Sequence, residues 1–205
     1  MSEYNKEQYD ALAMVCTQLA RISPSQRQKL ANRLDGYLAF RREVDEFLQR
    51  HFSEICTANC FQSRLSACCS KEGIVTFFAD GVINALLSRE DELERLAGIL
   101  ADDNEKRACV YLGRGGCRWR LPPIVCAMFI CEDAKKNAFR ADPTSERRWK
   151  SIQQQRKRYT WPDRPVLFDH LEQVFIDIGL ESELMYLHNS PGMLRVKQRA
   201  GLYKS

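Results

Sequence analysis

Nine cysteines stand among the 205 residues, and eight of them fall between Cys56 and Cys131, leaving only Cys16 outside. Thiols can ligate metal as thiolates, act as nucleophiles, pair as disulfides or pack as small apolar side chains. Counted as intervening residues, the gaps are three from Cys56 to Cys60, seven to Cys68 and none to Cys69. After an interval of 39 residues they are seven from Cys109 to Cys117, eight to Cys126 and four to Cys131. Three intervening residues put Cys56 and Cys60 about one helical turn apart on one face, where both can reach one ion. Adjacent Cys68 and Cys69 diverge, which suits two ions, or one ligand and one spare. Eight thiolates exceed the four that a single tetrahedral zinc accepts. Two zinc sites, an iron–sulfur cluster with a zinc, or a small multinuclear centre would each use them.

Charge bears on the same question. Two four-thiolate zinc centres would each carry a net charge of about −2. Arg64, Lys71, Arg107, Arg114, Arg118 and Arg120 are near in sequence and can offset it. The overall charge of +4 is mild and does not point to nucleic acid. No stretch approaches the roughly 18 apolar residues that cross a bilayer, and "MSEYNKEQYD" lacks a basic-then-apolar leader pattern. These features predict a cytoplasmic chain without membrane contact. In that reducing compartment clustered thiols serve metal or thiol chemistry more often than disulfides.

The elements that must position these sulfurs read as mainly α-helical. Tyr9, Leu12, Cys16 and Leu19 recur at helical spacing, which makes Cys16 a core thiol. Ser23, Pro24 and Gln26 form a helix start, and the helix that follows runs to about Phe52. Ile74, Phe77, Phe78, Val82 and Leu86 suggest another helix, and Ser88 with Asp91 the start of the next. "ACVYLGRGGCRW" predicts a hairpin turning at Gly113–Gly116, with Cys109 and Cys117 on opposite arms. Its glycine-rich turn leaves backbone N–H groups able to point at sulfur. Pro122 and Pro123 bar a helix before Ile124. A basic helix around Arg147–Arg158 and an amphipathic one from Pro165, capped by Gly179, close the pattern. We therefore expect a single domain over 1–205. It has N-terminal helices over 1–52, a cysteine-cluster module with a small β-hairpin over 53–134, and C-terminal helices with a basic tail over 135–205.

The first block, Cys56, Cys60, Cys68 and Cys69, followed by "ACVYLGRGGCRWRLPPIVCAMFIC", resembles the YkgJ-type cysteine-cluster family of zinc- or iron-chelating domains. Cys109-Val-Tyr-Leu112, Gly116-Cys117 and Pro123-Ile-Val-Cys126 match that family's second segment, and the first block matches with wider gaps. The resemblance covers residues 56–131. It departs at Pro122 and Ala127, where the family carries arginines, so Arg118 or Arg120 would have to serve instead. It implies Cys56, Cys60, Cys68, Cys69, Cys109, Cys117 and Cys126 as metal ligands, and Cys131 joins them by proximity. The family also includes flagellin lysine N-methylase-like proteins, which implies an alternative: an enzyme using S-adenosylmethionine on a protein lysine. No glycine-rich nucleotide fingerprint between strand and helix accompanies that alternative. An iron–sulfur redox protein is the third reading.

Other constellations carry less. His51 reads as a surface helix position near the first block, and Asp169-His170 as an incidental pair, since adjacent helical residues point about 100° apart. "RRWKSIQQQRKRYTW" interleaves Trp149, Tyr159 and Trp161 with positive charge. It reads as a solvated helix face with aromatics turned to the core, or as a docking surface for an acidic partner protein, ahead of a nucleic-acid binder.

Overall fold

The computed structural model describes residues 1–56, 75–102, 109–113, 116–160, 163 and 165–187. Cys60, Cys68, Cys69, Ile74, Arg64, Lys71, Arg107, Arg114, Trp161, His188 and the basic tail lie outside them. The described residues form nine α-helices and one antiparallel two-stranded hairpin, so the chain is mainly helical as the periodicity predicts. In order these are α1 (Glu3–Arg21), α2 (Pro24–Asn32), α3 (Asp35–Cys56), α4 (Phe78–Leu87), α5 (Glu90–Ala101), β1 (Leu112–Gly113), β2 (Gly116–Cys117), α6 (Ile124–Ala127), α7 (Glu132–Ala141), α8 (Pro143–Arg156) and α9 (Leu167–Ile176). Among the described residues no helix is long and apolar enough to cross a membrane.

Helix starts follow their side chains. Ser23 Oγ accepts from Gln26 N at 3.3 Å while Gln26 Oε1 accepts from Ser23 N at 2.9 Å, the reciprocal capping box that opens α2. The single helix expected from Ser23 to Phe52 is in fact two. Arg33 N and Leu34 N donate only three residues back, to Leu30 O at 3.1 Å and Ala31 O at 2.9 Å. This tight turn redirects the chain so that Leu34 and Tyr37 both bury completely. The next expected start, at Ser88 and Asp91, is displaced by one residue. Ser88 closes α4, and Glu92 Oε2 accepts from Arg89 N at 2.8 Å to open α5. The same device opens α4 and α9: Asp80 Oδ2 accepts from Phe77 N at 3.0 Å, and Asp169 Oδ2 from Val166 N at 3.1 Å. A carboxylate in the first turn also suits the helix dipole. Gly179, at φ +77°, ends α9 with paired bonds from Gly179 N to Ile176 O and Leu180 N to Phe175 O.

Burial separates two clusters. The larger gathers α1–α4 with α6–α9 around Tyr37, Phe47, Phe78, Ile152, Phe168 and Phe175. Tyr37 meets Phe168 edge-on at 5.8 Å and Tyr159 at 5.4 Å, and Phe47 stacks on Trp149 at 5.4 Å. The smaller holds Leu12, Leu96, Leu100, Tyr111 and Trp119, where α1 and α5 meet the hairpin. Cys16, half-buried, packs against both. Burial pushes its thiol pKa up, which suits a packing role.

Candidate metal centre

Two helices position the described cysteines of the second block. On α4, Asp80 and Asn84 lie one turn apart and share a face. Asn84 Nδ2 donates to Leu121 O and Asn84 Oδ1 accepts from Leu121 N, both at 2.9 Å, so one amide pins one residue from both sides. Asp80 Oδ1 accepts from Ile124 N at 3.3 Å. These bonds seat residues 121–124 and set the start of α6, which carries Cys126. The Cys126 thiol donates to Val75 O at 3.8 Å. Burial raises the Asp80 carboxyl pKa to about 6, against the lowering effect of the Phe77 and Ile124 N–H groups and of Arg41.

On α1, Gln8 holds the hairpin. Its Oε1 accepts from Tyr111 Oη at 3.1 Å and from Thr76 Oγ1 at 2.7 Å, and all three residues are buried. The hairpin pairs Leu112 with Cys117 and Gly113 with Gly116, the latter at φ +107°. Arg118 N donates to Tyr111 O at 2.9 Å and extends the contact beyond the ladder. Cys117 is on the second arm as expected and is exposed. Cys109 is not on the first arm: it precedes a turn in which Leu112 N donates to Cys109 O at 3.0 Å. That turn lets Cys109 pack into the smaller cluster beside Tyr4 and Tyr111.

Tyr4, one helical turn before Gln8, completes the arrangement. Its hydroxyl is buried and has no hydrogen-bond partner of good geometry, although the Thr76 and Tyr111 hydroxyls lie beside it. Both of those hydroxyls give their hydrogens to Gln8. Burial drives the Tyr4 pKa well up, Thr76 and Tyr111 counter this in part, and the nearby Cys109 and Cys126 sulfurs add to it. Burial likewise raises Tyr111, with Tyr4, Cys109 and Cys117 adding. Both phenols therefore stay protonated. Cys109 and Cys126 thus lie near the Tyr4 phenol, and Cys109 and Cys117 near that of Tyr111.

The remaining cysteines are placed differently. Cys56 ends α3 and Cys131 caps α7, two helices that pack together, and both side chains lie against the larger core. Among the described residues no three cysteine, histidine or acidic side chains converge closely enough to hold an ion. Cys60, Cys68 and Cys69 belong to the segment outside the description, which is entered from Cys56 and left at Val75, against Cys126.

Of the candidate charge partners, Arg120 is engaged with Glu92 at 3.2 Å. Arg118 covers Gly113 so closely that a Cβ there would meet its Nε at 2.8 Å. His51 rests on the Phe47 ring at 4.6 Å, with Asp142 at 4.0 Å. Asp169 is buried, capping α9 and accepting from the Tyr186 hydroxyl, while His170 is exposed, so that pair does diverge. On α8, Trp149 enters the core, and just beyond it Tyr159 does too, its hydroxyl donating to Gly36 O at 3.0 Å.

Periodicity and cysteine counting pass over Tyr4, Gln8, Thr76, Asp80 and Asn84. The available signal was a pair of polar residues four apart on a helix otherwise rich in apolar ones: Asp80 and Asn84 in "FADGVINALL". Gln8 and Tyr4 carry no such mark. Family models, curated proteins and solved structures offer no match to this chain.

Proposed function

We propose that this chain is a metal-binding protein that holds zinc or iron through cysteine thiolates, drawn from Cys56, Cys60, Cys68, Cys69, Cys109, Cys117, Cys126 and Cys131. One observation carries the reading. The Cys109 and Cys126 sulfurs, from different segments, both lie near enough to the buried Tyr4 hydroxyl to raise its pKa. Ordinary apolar packing gives no reason for sulfur to collect around phenols and a glutamine. A thiolate centre does, because anionic sulfur is stabilised by nearby donors. Metal would then supply a large share of the local folding energy, on the order of 10 kcal/mol for a structural zinc site.

The test is elemental analysis of anaerobically purified protein. Wild type should carry at least one zinc or iron per chain, and Cys109→Ser and Cys126→Ser should each lower that ratio. Unchanged stoichiometry in both variants would overturn the reading. A visible sulfur-to-iron absorption band would assign the centre to iron, and a colourless, zinc-loaded protein would assign it to zinc.

A further inference from the structure

We propose that a cavity between α5 and the chain just beyond β2 binds a phosphate monoester, a function separate from metal binding. Three guanidinium groups line it: Arg95 from α5, and Arg118 and Arg120 from the segment after the hairpin. The cavity measures about 230 Å³, and Leu96 and Ile99 give it an apolar wall. Both sides are held in place by the rest of the fold. Leu96 is buried in the smaller cluster. Arg118 N donates to Tyr111 O at 2.9 Å, and Asn84 pins Leu121 at both its N–H and its carbonyl. The Arg118 side chain lies over Gly113, where the missing Cβ leaves room for it.

Like charges gathered around one cavity repel unless anions offset them. Arg120 Nη1 lies 3.2 Å from Glu92, itself on the cavity wall, and Arg95 Nη2 lies 2.8 Å from Asp91. Arg89 reaches the same two carboxylates at 3.0 Å and 3.8 Å. Arg118 has no acidic partner among the described residues. Four arginines against two carboxylates leave a local excess of two positive charges. A phosphate monoester carries about −1.5 to −2 at neutral pH and matches that excess, whereas a single carboxylate does not. Glu92 opposes an anion, but Arg89 and Arg120 already engage it. The contacts of Arg95 and Arg120 with their acids run through one nitrogen each, which leaves further N–H groups for the two-pronged binding that guanidinium offers to phosphate. Ligand pockets commonly span about 300–1,000 Å³, so this one suits a small ester whose apolar part rests on Leu96 and Ile99.

The test is titration of the full chain at low salt with phenyl phosphate and with inorganic phosphate, followed by amide chemical shifts. Shifts should centre on residues 95–99 and 118–121, and phenyl phosphate should bind more tightly than inorganic phosphate because of the apolar wall. Arg118→Gln should weaken phenyl phosphate about tenfold. Gly113→Ala keeps every charge but sets a Cβ 2.8 Å from Arg118 Nε, so it should displace that guanidinium and weaken binding too. Arg147→Gln removes an exposed arginine on α8 and should change the affinity by less than about twofold. A phosphotyrosine peptide that binds more tightly than phenyl phosphate assigns the ester to a protein, and one that binds more weakly assigns it to a small molecule. Equal losses in Arg118→Gln and Arg147→Gln would mean unspecific attraction to a basic protein and overturn the proposal. Full affinity in Gly113→Ala, or no shifts with phenyl phosphate at millimolar concentration, overturns it as well and leaves the metal-binding reading untouched.

Discussion

The two clusters of this molecule are built on different principles. The larger is aromatic and continuous: Tyr37, Phe40, Tyr159 and Phe168 contact one another in stacked and edge-to-face pairs, and most of the helices contribute. Dispersion and removal of apolar surface from water are enough to account for it. The smaller has five buried residues at its heart, a Gln8-centred set of hydroxyls at its edge and cysteines around that edge. Polar groups in a small core contribute little net stability. The proposed metal, if bound, would add stability to the smaller region and not to the larger.

If the chain binds metal as proposed, removing it should separate the two most sharply. With a chelator present, amide hydrogen exchange is expected to accelerate by orders of magnitude over residues 109–126, while α8 and α9 keep their protection. Uniform acceleration, or none, would erase the distinction. In the larger core, Phe168→Ala should cost about 3–5 kcal/mol in urea unfolding whether or not metal is bound. A cost that depends on metal would mean that the clusters fold as one unit.

Asp80 joins the regions, because it lies on α4 within the larger core and holds Ile124 at the head of the Cys126 helix. Its carboxyl, with an ordinary value of 3.8, is raised to about 6 by burial. A raised carboxyl binds its proton more tightly in the folded state. Its contribution is therefore largest below the unfolded value and is lost as pH rises through about 6. Relative to Asp80→Asn, which cannot titrate, wild type should lose about 2 kcal/mol of stability between pH 4 and pH 7. Parallel pH profiles for the two proteins would contradict this. Ionised Asp80 keeps two backbone N–H bonds and the attraction of Arg41. Arg41 is itself wholly buried, its Nη1 donating to Tyr37 Oη at 3.1 Å, while its Nε and Nη2 have no partner among the described residues.

Much of the frame could be read in advance, for local reasons. The Ser23 capping box, the Pro122–Pro123 barrier, the hairpin glycines and the Gly179 cap act within a few residues of themselves. The break at Arg33–Leu34 was hidden because α2 and α3 keep apolar residues in step across it, and only burial of Leu34 and Tyr37 demands the turn. The Cys109 position was hidden because the paired segment is only two residues long on each arm. Of the candidate site, the sulfurs were legible and their setting was not. Tyr4 and Gln8 read as ordinary members of an amphipathic helix, since nothing nearby in the chain shows that Thr76 and Tyr111 will meet them.

Sequence alone determined the inventory of thiols, the helical periodicity and most helix ends, because these depend on composition and on contacts spanning one or two turns. Tertiary structure decided which cysteines share surroundings and which hydroxyls meet at Gln8. Those outcomes depend on helices α1 and α4 packing side by side, and hydrogen bonds between residues some 70 to 100 positions apart exist only once that packing has formed.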